Sequence, residues 1–107
     1  MAIIAGIING GCEELFWRGL TLKATIKYKK AVIISSVIGF GIWHITLATI
    51  SGLNLPGGMY LFCVGVFLSG VLWQFIAYKM NNLIFVTIGH VLVSITVYTT
   101  LIYQNWQ

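Results

Sequence analysis

The sequence predicts an all-α, polytopic membrane protein: one bundle of about four transmembrane helices forming a single domain over residues 1–107. Three observations carry that expectation. The 107 residues are 59% hydrophobic and 7% charged, where soluble domains carry roughly 25% charged residues. Mean hydropathy is +0.96, more apolar surface than a soluble core of this length hides, because small domains expose a large share of their chain. The apolar residues also fall into four runs of roughly 20 residues, each enough at 1.5 Å per residue to cross a ~30 Å hydrocarbon layer. Lipid offers backbone groups no hydrogen bonds, so such runs are helices.

The first run extends from Ala2 to Leu22. Its second half holds Cys12-Glu13-Glu14-Leu15-Phe16-Trp17-Arg18, which contains both carboxylates of the chain and its only arginine. The basic turn Lys23–Lys30 follows, then a second run from Ala31 to Ile50. The uncharged loop Ser51-Gly52-Leu53-Asn54-Leu55-Pro56-Gly57-Gly58 carries the only proline and three glycines as punctuation. A third run spans Met59 to Tyr78, a tight turn Lys79-Met80-Asn81-Asn82 reverses the chain, and a fourth run spans Leu83 to Tyr103. Trp106 stands where an interfacial anchor belongs. Gly6 with Gly10 and Gly65 with Ser69 form small-xxx-small pairs, which let helices approach closely.

The net charge of +4 is a loop signature. Lys23, Lys27, Lys29 and Lys30 sit together and Lys79 sits in the second short turn. The positive-inside rule then places the Lys23–Lys30 loop and the Lys79 turn in the cytoplasm, with both termini outside, in a multi-pass protein of the cell membrane. No aromatic and basic patch supports nucleic-acid binding. No positive charge precedes the first apolar run, so no secretory signal is read. Cys12 and Cys63 have neither metal-binding nor redox spacing and read as small buried residues.

A charge at a helix centre in lipid costs ~3 kcal/mol on translocon-type scales, so the Glu13–Arg18 segment is a functional-site hypothesis. Glu14 and Arg18 are four residues apart with the acid first, the favourable order for an ion pair on one helix face. Glu13 lies about 100° around the helix and is left without an in-helix partner, which suits it to accept and donate protons. Counted from the lysine-bearing ends, Glu13 is roughly 13 Å deep, His90 roughly 11 Å, His44 roughly 20 Å and Ser94 roughly 17 Å. Four polar groups from three helices therefore share one layer. Glutamate with two histidines and water is the ligand set of many catalytic zinc centres. It is equally a general base, a water-holding imidazole and an oxyanion donor. Ser94 as a nucleophile would need His90 as its base and has no third orienting acid on that helix. The same groups also serve as interhelical hydrogen bonds in a non-enzymatic scaffold, or line a small proton pathway.

Glu13-Glu14-x-x-x-Arg18, Phe40-x-x-x-His44 and His90-x-x-x-Ser94 together resemble the three-motif signature of the CPBP intramembrane protease family. That family comprises CAAX prenyl endopeptidases and bacterial Abi-type proteins of bacteriocin processing and immunity. The resemblance implies a hydrolase of the membrane interior acting on a peptide or protein substrate, prenylated or a bacteriocin-like precursor. It implies catalytic roles for Glu13 and His44 in activating water, and for His90 and Ser94 in holding the oxyanion. Glu14, Arg18 and Phe40 would be structural supports. Both a metalloprotease, with Glu13, His44 and His90 holding a divalent metal such as Zn2+, and a metal-free glutamate mechanism accord with the resemblance. So does a non-enzymatic immunity or scaffold protein of the same fold. Two departures stand out. Ser94 occupies the position of an amide, and a hydroxyl has shorter reach. The N-terminal helices usual in the family are absent, so the chain is expected to be a truncated member or the catalytic part of a longer one.

Overall fold

The computed structural model describes residues 1–24, 27–49 and 52–106. Thr25 and Ile26 in the basic turn, Ile50 and Ser51 after the second span, and Gln107 lie outside the described residues. Four helices follow one another: α1 (Ala2–Lys23), α2 (Lys29–Ala48), α3 (Gly58–Met80) and α4 (Ile84–Asn105). The expected runs reappear with their ends shifted by one or two residues in either direction, since hydropathy does not mark helix caps. By length and composition α2, α3 and α4 are apolar enough to cross a membrane. α1 is as long, but it carries Glu13, Glu14 and Arg18, and all three are turned inward and buried.

The bundle is packed inside out relative to a soluble protein. Among the described residues the buried apolar side chains are Phe40, Ala48, Ala77 and Val86. The buried polar or charged ones are Glu13, Glu14, Arg18, Thr21, Ser36, Gln74, His90 and Ser94. Large apolar residues such as Ile4, Leu15, Leu68 and Leu92 stand more than half exposed. Water would make that distribution unfavourable and a hydrocarbon solvent makes it natural.

α1 packs chiefly on α4, and α2 chiefly on α3. The first contact explains Gly6 and Gly10. A Cβ at Gly6 would lie 2.9 Å from the Ile95 amide nitrogen, and one at Gly10 would lie 3.1 Å from the Val91 Cα. The two backbones therefore meet where only glycine fits. Gly65 makes no such approach, because nothing lies within 4 Å of a Cβ built there. Cys12 is exposed and Cys63 half-buried where both were expected to be buried, Cys12 because it stands at an open cleft rather than at a helix contact. Asn81 closes α3 in the left-handed region (φ 47°), and the Asn82 side-chain oxygen accepts from the Ile84 amide at 2.7 Å to start α4. At the opposite end the 52–58 loop is tied to α4: the Asn54 amide donates to Asn105 Oδ1 at 2.7 Å, and Asn105 Nδ2 donates to the Asn54 carbonyl at 3.0 Å.

Candidate active site

The polar residues of α1 lie where that helix meets α2, α3 and α4. Arg18 and Glu14 form the i, i+4 pair, with Nη1 3.1 Å from Oε1 and both side chains fully buried. Arg18 also donates from Nη2 to the Gly70 carbonyl on α3 at 3.0 Å, and its guanidinium lies 4.3 Å from the centroid of the Phe40 ring. A desolvated cation over an aromatic face is worth about 2 kcal/mol, so Phe40 helps to hold the charge as well as filling space. Thr21, one turn on, donates to Gln74 Oε1 at 3.4 Å and extends the α1–α3 seam.

His90 reaches this pair from α4. Its Nδ1 donates to Glu14 Oε1 at 2.6 Å, the short distance typical of a charge-assisted bond. Nδ1 being spent there, Nε2 is turned toward Glu13 Oε2, 3.5 Å away. His44 is oriented in a parallel way. Its Nδ1 donates to the Phe40 carbonyl at 2.9 Å, leaving Nε2 3.6 Å from the same Glu13 oxygen. Phe40 lies between the imidazoles, its centroid 4.4 Å from that of His44 and 5.6 Å from that of His90. Trp73 stacks on the outer face of His90 at 6.0 Å.

Glu13 has an in-helix partner after all, which the sequence reading overlooked. Asn9, one turn earlier, donates to Oε1 at 3.0 Å, and Trp43 Nε1 donates to the same oxygen at 3.3 Å. Both bonds fall on Oε1. The other oxygen, Oε2, is buried without a hydrogen bond, because 3.5 and 3.6 Å are beyond hydrogen-bonding range for these imidazoles. One carboxylate oxygen is thus anchored, and the other is aimed at two imidazole nitrogens.

Ser94, one turn beyond His90, is buried and takes no part in the bonds that join the cluster. It lines, with His44, His90, Asn9, Ser69 and Tyr98, a cavity of about 220 Å3 whose other walls are apolar. Glu13 lies outside that lining. It is reached instead from a cleft between α1 and α2, bordered by Cys12, Phe16, Trp17 and Trp43. The polar cluster stands between the two spaces.

The donor types fit a divalent metal. The Nδ1 atoms of both histidines are engaged, as metal-bound histidines usually are, and both Nε2 atoms turn toward a carboxylate oxygen. As placed, no three described histidine, cysteine or acidic side chains close into a metal-holding group.

Inward charges and an outward apolar surface define a helical membrane protein, in which one anchored carboxylate is brought together with two oriented imidazoles. A family model, the Rce1-like type II CAAX prenyl endopeptidases, matches residues 1–96, and the chain belongs to that family. No curated protein and no solved structure matches it significantly.

Proposed function

We propose that the chain is an intramembrane endopeptidase that hydrolyses a peptide bond with water activated by Glu13 and His44. The observation that supports this most is the Glu13 carboxylate: Oε1 is fixed by Asn9 and Trp43, while Oε2 is buried, unbonded and 3.6 Å from His44 Nε2. Both atoms are acceptors when Glu13 is ionised and His44 neutral. A water between them donates one hydrogen bond to each and keeps a lone pair free to attack a carbonyl. Glu13 then takes the proton and later returns it to the leaving amine.

His90 serves the oxyanion in this reading. With Nδ1 engaged by Glu14, its Nε2 donates only as the imidazolium, and that form brings the combined charge of Glu13, Glu14, Arg18 and His90 to zero. A donor of this kind is worth ~3 kcal/mol of barrier. Ser94 adds a second, shorter donor. A divalent metal would be held by Glu13, His44 and His90 and would supply Lewis-acid activation of water. It would take the Nε2 lone pair of His90 that the imidazolium form lacks, so the two mechanisms assign His90 opposite protonation states.

The substrate is a membrane-embedded or prenylated peptide, or a bacteriocin-like precursor, seated in the apolar cavity. The Lys23–Lys30 loop and the Lys79 turn face the cytoplasm of the cell membrane by the positive-inside rule. The test is cleavage of a quenched, prenylated peptide by the reconstituted chain and by Glu13→Gln, His44→Ala and His90→Ala. Each variant loses at least a hundredfold in rate. Full activity in any of them overturns the assignment.

A further inference from the structure

The chain has only two acidic side chains, and both are spent in the buried cluster about Arg18, His44 and His90. The lysines at the start of α2 therefore find no side-chain carboxylate of this chain to neutralise them. Lys27 and Lys30 are exposed, and Lys27 Nζ lies 5.2 Å from the centroid of the Tyr28 ring.

Tyr28 is also the mouth of a groove of about 400 Å3 between α1 and α2. Phe16 and Leu20 form one wall, and Ala31 and Val32 the other. Its inner end is closed by the Trp17 indole, which lies against Gly39. The Ser36 hydroxyl there is spent on the Trp17 carbonyl at 2.8 Å. From Ala31 to Ser36 the groove reaches roughly 7 Å into the apolar span, the depth of the first methylenes below a headgroup. A positive rim over an apolar slot matches an anion carrying a hydrocarbon chain.

We infer that the α1–α2 groove is a binding site for an anionic phospholipid, with Lys27, beside Tyr28 at the mouth, on the phosphate and one acyl chain between Phe16, Leu20 and Val32. The groove shares Phe16 and Trp17 with the cleft that borders Glu13, but none of the cluster's ionisable residues lines it, and its occupancy does not depend on the reaction proposed there.

Trp17 makes the site readable. The full chain is reconstituted in vesicles containing bromoacyl phosphatidylglycerol or bromoacyl phosphatidylcholine with identical chains. Tryptophan quenching is followed, and the Trp17→Phe variant identifies the Trp17 component. Phosphatidylglycerol quenches that component preferentially, by roughly fivefold for each lysine engaged. The preference collapses in Lys27→Gln and survives in Lys30→Gln, whose lysine is on the opposite face of α2, and in Lys79→Gln, whose lysine lies over Phe75 on α3. Val32→Phe, which narrows the groove and leaves every charge in place, weakens quenching by phosphatidylglycerol.

Equal quenching by the two lipids overturns the inference. So does an equal loss in the Lys79 variant, which would mean diffuse surface attraction. Displacement of the brominated lipid by soluble glycerol phosphate would show a free-phosphate site and would also overturn it. No quenching of Trp17 by either lipid would mean that protein covers the groove, with the same consequence.

Discussion

Around Glu14 the charge is enclosed: the side chain is fully buried, and its Oε1 receives both the Arg18 guanidinium and the His90 imidazole. Around Glu13, one residue away, the donors are an amide and an indole, both on Oε1, and the second oxygen is kept for two imidazoles beside a cleft. The same side chain is thus used twice in succession. One copy ties α1 to α4 and, through Arg18, to α3. Each has its Oε2 buried and unbonded, but that of Glu13 lies 3.5 and 3.6 Å from two imidazole nitrogens. A buried charge with a counter-charge is a strut, and a buried charge held by neutral donors on one oxygen presents the other to the site.

The sharpest way to break this contrast is to remove one charge from each side of it. Glu13→Gln keeps the shape and is expected to lower peptide cleavage by 10²- to 10⁴-fold while thermal unfolding in detergent changes little. A scaffold protein would tolerate it, and unchanged maturation of a substrate in vivo would favour that rival. Arg18→Met should produce the opposite pattern, because it leaves the two buried carboxylates with a single imidazolium to balance them. The expected loss is about 3–5 kcal/mol of stability, read by thermal or denaturant unfolding, with residual cleavage following the folded fraction.

A smaller effect sharpens the Glu13 side. Asn9→Ala removes one donor from Oε1 and leaves Trp43, so cleavage should fall about tenfold, near the low end for a hydrogen bond to a charged group. The loss should appear in kcat rather than KM, and Asn9→Asp should be worse than alanine because it sets two carboxylates together. Ser94→Ala is the mildest change and should cost less than tenfold, since the hydroxyl makes none of the cluster's bonds. A Ser94 variant as impaired as His90→Ala would make the hydroxyl a principal oxyanion donor. EDTA or phenanthroline should leave the glutamate mechanism unaffected, whereas loss restored by Zn2+ would reassign His90 as a ligand.

Much of this was legible in the sequence because lipid simplifies the code. Four apolar runs gave four helices, and the Glu14–Arg18 spacing gave the ion pair. Counting depth brought Glu13, His44 and His90 to one layer, and the coordinates bring them within 3.6 Å. Asn9 could have been found, since it stands one turn before Glu13 and amide–carboxylate pairs at that spacing are favourable. Trp43 read as one more apolar residue beside His44. The Glu14–His90 bond joins residues 76 apart, and nothing in either local segment distinguishes Glu14 as the partner of that ring. The small-residue pairs show the same limit: Gly6 and Gly10 meet α4 and Gly65 meets nothing, although the patterns are equivalent as text.

The single oxygen of Glu14 that receives both Arg18 and His90 has a mechanical consequence. Because Arg18 is fastened at its other end to the Gly70 carbonyl, any shift of the His90 ring transmits force through one atom to the backbone of α3. Substrate that draws His90 forward must therefore tug a neighbouring helix with it, and the bundle resists that displacement as a tensioned frame rather than as one swinging side chain.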